Sequence, residues 1–188
     1  MWTWYDWRRT LIAKCRPNAA HETLARWSRR DGFTLITQNV DGLHEFAGTR
    51  DVVRFHGSIW EMQCAAGCAN APRTWEDRSA PLTTLPPQCP ACCGVARPAV
   101  MWFGEAIDPH VLARCAAALD CDVFLSIGTS SIVHPAAGLL LEARERGAFT
   151  AEVNPEATEA SGVVDVAIPM GAEEALPAID RLLTSWLP

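Results

Sequence analysis

The chain has 188 residues, 16 of them basic and 22 acidic, for a formal net charge of −6. That length supports one sizeable core with room for a small inserted module, and the acidic balance argues against a sequence-independent grip on nucleic-acid phosphates. Charges interrupt every apolar run before the roughly 18–20 residues needed to span a bilayer, and the run Trp2-Thr3-Trp4-Tyr5-Asp6-Trp7-Arg8-Arg9 carries its charges after its aromatics, the wrong order for a secretory signal; the expectation is a cytoplasmic protein with no membrane or nucleic-acid partner.

Apolar residues recur at helical spacing over residues 2–15 and 21–30, with Pro17-Asn18 as the break. Residues 33–37 and 52–55 read as short buried strands. Each runs straight into polar residues, Thr37-Gln38-Asn39-Val40-Asp41-Gly42-Leu43-His44 after the first and His56-Gly57 after the second. Polar groups at strand ends are where α/β proteins place their sites. Residues 61–98 differ in texture, rich in Cys and Pro with little periodicity, and read as a small module inserted between residues 1–60 and 99–188 of one α/β domain. Beyond it come a helix at 111–119, a buried strand at 123–127 opening into Gly128-Thr129-Ser130-Ser131, a helix at 136–146, strands at 149–153 and 163–168, and a closing helix at 172–186. The alternation is that of an α/β protein with a parallel sheet.

Four of the eight cysteines form two close pairs, Cys64-x3-Cys68 and Cys89-x2-Cys92. This is close to the ribbon-like pattern whose thiolates surround zinc tetrahedrally. Four sulfurs close the coordination sphere, so such a zinc is structural. The alternatives are unmetallated thiols or disulfides, and Cys93 competes with Cys92 as fourth ligand. Cys15, Cys115 and Cys121 are scattered and read as free thiols of a reducing compartment.

Taken together, the run from Thr37 to His44, Phe55-His56-Gly57, the cysteine pairs, Arg97-Pro98-Ala99-Val100-Met101-Trp102-Phe103-Gly104-Glu105, Gly128-Thr129-Ser130 and Glu152-Val153-Asn154 resemble the sirtuins, the NAD-dependent protein-lysine deacylases. The motifs occur in family order over nearly the whole chain. The resemblance implies a Rossmann-like parallel sheet with an inserted zinc-binding module, NAD as co-substrate, a structural zinc and an acyl-lysine protein or peptide as partner. It also implies the chemistry: the acyl oxygen attacks the ribose carbon bearing nicotinamide, and an imidate-linked intermediate collapses to free lysine and an acylated ADP-ribose. By resemblance His56 is the general base, a role suited to a group titrating near neutrality. Gln38, Asn39, Val40 and Asp41 hold the nicotinamide end. Gly128, Thr129, Ser130, Asn154, Pro155, Glu156 and Ala172 hold the adenosine half, while Val100 and Phe103 border the acyl-lysine, with Trp102 a further wall.

Tyr5 and Arg8 have the Tyr-x-x-Arg spacing that marks the sirtuin subgroup preferring succinyl, malonyl or similar acidic acyl groups; three apart, they share a helix face, with neighbouring Arg9 expected to face solvent. The family also has an opening strand, a Gly-Ala-Gly-x-Ser turn and a Phe-Arg loop, none of which is found here, so the resemblance implies an N-terminally shortened chain whose first strand is absent. That absence motivates the alternative of a catalytically inactive zinc-containing module binding an ADP-ribose-like ligand or a protein partner. Mono-ADP-ribosyl transfer is a third reading.

Overall fold

A computed structural model describes residues 1–130 and 135–186; Ser131, at the end of the glycine-threonine-serine turn, lies outside the described residues. In chain order the elements are α1 (Trp2–Ile12), α2 (Ala19–Trp27), β1 (Ile36–Thr37), α3 (Leu43–Phe46), β2 (Val53–Arg54), β3 (Gly57–Cys64), β4 (Trp75–Glu76), β5 (Ala96–Val100), α4 (Pro109–Ala118), β6 (Val123–Ile127), α5 (Gly138–Glu145), β7 (Phe149–Val153), β8 (Val166–Ile168) and α6 (Ala172–Trp186). They fall into two units. One comprises Met1–Arg16, Thr37–Leu43 and Arg54–Ile107, the other Pro17–Ile36, His44–Val53 and Asp108–Pro188. No helix among the described residues is long and apolar enough to cross a membrane.

In the first unit α1 covers an antiparallel sheet of order β4-β3-β5. Trp2 and Tyr5 share an apolar cluster with Ile59, Trp60, Met62, Leu82 and Ala96, each large side chain contributing about 1.5–3 kcal/mol by burial. Polar ties fix the register: the Trp2 indole N–H donates to the Ala96 carbonyl at 2.9 Å, and the Leu82 amide donates to the Asp6 carboxylate at 2.6 Å. The long strand β3 was not legible in a stretch that lacks sequence periodicity. Three consecutive residues, Ser58, Ile59 and Trp60, are buried, and the β3–β5 register shifts between Ser58 and Met62, so simple alternation is lost.

Arg9 corrects the sequence reading. It is fully buried, because the inward stripe of α1 runs through Trp2, Tyr5 and Arg9. Its charge is met by Asp77, whose Oδ1 accepts from Nη2 at 2.8 Å, and by the face of Trp60, 5.2 Å away. Burial lowers the Arg9 pKa while Asp77 opposes the shift.

β1 and β2 form a two-stranded sheet of their own. The Val53 amide donates to Leu35 and the Phe55 amide to Thr37, both at 2.8 Å, and bonds advancing in step along both strands make the pair parallel. Both strands are shorter than their apolar runs.

The second unit carries the parallel sheet, in order β6-β7-β8. Ala20, Leu24 and Trp27 of α2 meet Ala175 and Leu176 of α6 and Val153 of β7 in one cluster, to which Leu35, Leu125 and Ile127 add. Asn18 caps α2 and forms a reciprocal box with His21. Asp180 of α6 accepts from the Arg26 guanidinium and the Trp27 indole, each at 2.7 Å, and these donors hold its carboxyl below the ordinary range.

At the junction of β2 and β3, Gly57 has φ +79, and an added Cβ would lie 2.0 Å from the Ala99 carbonyl oxygen. Gly57→Ala is expected to cost about 3 kcal/mol or more, through left-handed strain plus a backbone clash. Gly32→Ala, at φ +80 but in open space, is expected to cost only about 1 kcal/mol. Urea unfolding of the two variants checks the difference.

Candidate active site and metal centre

Unit one brings the strand-end residues together through backbone geometry. The Thr37 hydroxyl accepts from the Asn39 amide at 3.1 Å, closing a tight turn after β1. Asp41 Oδ1 accepts from the Leu43 amide at 2.9 Å, and the Asp41 carbonyl takes the Trp60 indole N–H at 2.5 Å. Val40 presents its carbonyl to the Ile59 amide at 2.9 Å. The loop is thereby sewn to β3, leaving Asn39 exposed and Asp41 half-buried. Trp60 is a site-supporting residue that the sequence reading did not single out; its only signal was an aromatic three residues beyond Gly57.

His56 Nδ1 lies 3.2 Å from the Gln38 carbonyl oxygen. A carbonyl only accepts, so in the neutral ring this contact assigns the proton to Nδ1 and leaves Nε2 with a free lone pair. The His56 carbonyl accepts from the Met101 amide at 3.0 Å, and Gly57 is registered opposite Val100. His56, Gln38 and Val100 therefore belong to one local assembly.

The loop after β5 is held by a polar latch. The Arg97 guanidinium stacks 3.8 Å from the Trp102 ring centroid, donates to the Val100 carbonyl at 2.8 Å and pairs with both carboxylate oxygens of Glu105. Glu105 also accepts from the Trp102 amide at 2.8 Å. Arg97 first, then that amide, bring the Glu105 carboxyl down to about 2. Trp102 donates its indole N–H to the Tyr5 hydroxyl at 2.8 Å. Tyr5 is buried to 9% exposure, Arg8 is exposed with its guanidinium 5.6 Å from the Trp4 ring, and Phe103 is wholly exposed.

At the end of β3, Cys64, Cys68, Cys89 and Cys92 place their ligand atoms within 4.8 Å of one another. The Cys64–Cys92 and Cys68–Cys89 sulfur pairs are each 3.7 Å apart. A tetrahedron with Zn–S of about 2.3 Å has edges of about 3.8 Å, so the cluster suits a structural zinc, and the sulfurs are too far apart for disulfides. Backbone amides of Cys68 and Ala66 draw the Cys64 thiol down to about 6, whereas burial pushes Cys68 up to about 12. Thiols this close cannot all ionise unaided; a divalent cation would hold all four as thiolates. Cys93 stands outside the group: it has φ +57 and gives its amide to the Cys89 carbonyl at 2.9 Å, turning the chain away.

In unit two the strand-end residues are also linked. The Gly128 amide donates to Val153 at 2.9 Å, and Asn154 Nδ2 donates to the Thr129 carbonyl at 2.9 Å. Asn154 Oδ1 accepts from the Glu156 amide at 3.3 Å. Asn154 thus braces the turn that was expected to face the ribose. Gly128, Ser130, Pro155 and Glu156 are exposed, and Ala172 opens α6 against the unit's apolar cluster. Glu152 is 2% exposed and accepts from the Thr158 and Ser161 hydroxyls, anchoring the segment after β7.

Residues 1–135 match the Sir2 family. The chain is 43% identical over 168 residues to an NAD-dependent protein deacylase of Aquifex aeolicus, covering 88% of this chain and 69% of the relative. It is 41% identical over 189 residues to the NAD-dependent protein deacylase Sir2 of Mycolicibacterium smegmatis, covering 100% and 78%. The fold superposes on a Sir2 homolog in complex with NAD with a TM-score of 0.90 at 37% identity, covering 98% of this chain and 71% of that one. A Sir2 bound to an inhibitor, 2′-O-acetyl-ADP-ribose and a deacetylated p53 peptide gives 0.79 at 25% identity, covering 92% and 74%. The chain belongs to the Sir2 family, with that family's Rossmann-like α/β fold.

Cys92→Ser is expected to abolish binding of the single zinc equivalent, and Cys93→Ser to retain it. Metal analysis of the two purified variants distinguishes them.

Proposed function

We propose that this chain is an NAD-dependent protein-lysine deacylase with His56 as its general base. The observation that carries the reading is the His56 Nδ1 contact with the Gln38 carbonyl, which orients the ring and keeps Nε2 available to accept a proton. Relatives bearing the deacylase name over nearly the whole chain support it.

NAD supplies the ribose carbon from which nicotinamide departs. Gln38, Asn39, Val40 and Asp41 orient the nicotinamide end; Asn39 is exposed, and the loop carrying it is held in place by Trp60. Such positioning is worth several powers of ten when reacting atoms are brought to near-attack geometry. Nε2 of His56 then takes the proton of a ribose hydroxyl. Gly128, Thr129, Ser130, Asn154, Pro155, Glu156 and Ala172 are assigned to the adenosine half, where backbone N–H groups at the end of β6 suit ribose and phosphate oxygens. Val100, beside His56 on the paired strand, and Phe103 flank the acyl-lysine, whose peptide adds in extended form along the loop after β5.

The preferred acyl group is acidic. The Arg8 guanidinium is exposed and makes no ion pair among the described residues, so its donor fork is available to a carboxylate. Tyr5, three residues earlier, supplies the neighbouring hydroxyl.

Incubation with NAD and acyl-lysine peptides is expected to release nicotinamide, with succinyl preferred over acetyl. His56→Ala is expected to lose about 10²–10⁴-fold. Arg8→Met is expected to lower kcat/KM for the succinyl peptide by about tenfold or more. Absence of nicotinamide release from the zinc-loaded protein contradicts the proposal.

A further inference from the structure

The Tyr5 hydroxyl has one donor proton and two acceptor lone pairs. Its single hydrogen-bonding partner among the described residues is the Trp102 indole, 2.8 Å away. An indole N–H can only donate, so this bond occupies a lone pair and leaves the phenolic proton for another acceptor. The phenol is thereby fixed as a donor. Donation into its oxygen also strengthens the hydrogen bond that the hydroxyl donates in turn.

Trp102 is itself held on two sides. Arg97 stacks on its ring at 3.8 Å, and its backbone amide is tied to Glu105, the carboxylate that Arg97 grips. The Tyr5 ring is wedged against Trp2 and Trp4, with centroids 6.1 and 4.9 Å away. Residues 97 positions apart in the chain thus aim one proton in one direction. A carboxylate-bearing acyl group is an acceptor-only partner suited to that proton; an acetyl group presents no carboxylate.

We propose that Trp102, held by the Arg97–Glu105 latch, is a positioning residue that sets selectivity for acidic acyl-lysines by fixing the Tyr5 hydroxyl as a donor. This rests on the assignment of Tyr5 and Arg8 to the acyl group made above. It adds a specificity determinant on the loop after β5 that acts on the acyl group through Tyr5.

The test is binding, so it does not depend on turnover. Fluorescence anisotropy gives Kd for labelled succinyl-lysine and acetyl-lysine peptides on the zinc-loaded full chain. Trp102→Phe is expected to raise the succinyl Kd about five- to tenfold and to reduce the succinyl-to-acetyl preference accordingly. In a Tyr5→Phe background, adding Trp102→Phe is expected to change that preference by less than about twofold, because the oxygen it acts on is gone. Equal losses on both peptides, or additive effects of the two substitutions, overturn the proposal. Zinc content and far-UV circular dichroism report whether Trp102→Phe folds; Glu105→Gln, which keeps the indole but loosens its anchor, is expected to shift the preference in the same direction by a smaller factor, and no shift counts against the proposal.

The two layers fail differently. A wild-type chain that binds both peptides alike, or binds neither, overturns the acidic-acyl assignment and this inference with it. A succinyl preference that Arg8→Met removes and Trp102→Phe leaves intact overturns only the coupling.

Discussion

The close approach of the Gly57 backbone to the Ala99 carbonyl is the constraint on which the candidate site depends. Only a residue without Cβ fits there. Because β3 and β5 meet at that point, the His56 carbonyl reaches the Met101 amide and Val100 falls opposite Gly57. One strand pairing therefore sets a titratable ring and the start of the loop after β5 side by side at the same end of the sheet. The Gln38 carbonyl completes the arrangement from the end of β1, and the Trp60 indole holds the intervening loop.

Much of this was legible because its chemistry is local. Two cysteine pairs at short spacing and two apolar strands running into polar residues need no long-range information to be recognised. The features that were not legible depend on partners remote in the chain. Arg9 reads as a surface charge until Asp77, 68 positions away, and the Trp60 face are known. Cys92 and Cys93 are equivalent by spacing, and only the left-handed turn at Cys93 separates them. The strand β3 escaped because three successive buried residues and a register shift remove its alternation. Asn154, read from the sequence as a ribose partner, also donates to the Thr129 carbonyl and accepts from the Glu156 amide, bonds invisible without the fold.

Rigidity in unit one is built from polar anchors as much as from apolar burial. The cysteine cluster closes β3 and the turn before β5, α1 is pinned by the Trp2 and Asp6 hydrogen bonds, and the following loop is pinned by Arg97. A sulfur cluster at zinc spacing compensates for the short strands around it, as expected where a small module has little core of its own. The second unit follows the more usual pattern, a parallel sheet whose helices share an apolar layer, with the half-buried carboxylate of Asp180 joining α2 to α6.

The central claim is that the Gln38 carbonyl fixes His56 in the tautomer with the proton on Nδ1. Nitrogen-15 NMR of histidine-labelled protein, above the pH at which the ring protonates, measures this directly. The account predicts a His56 ring with a protonated Nδ1 and an unprotonated Nε2, a pattern lost in a His56 variant. A His56 spectrum with the proton on Nε2 contradicts it.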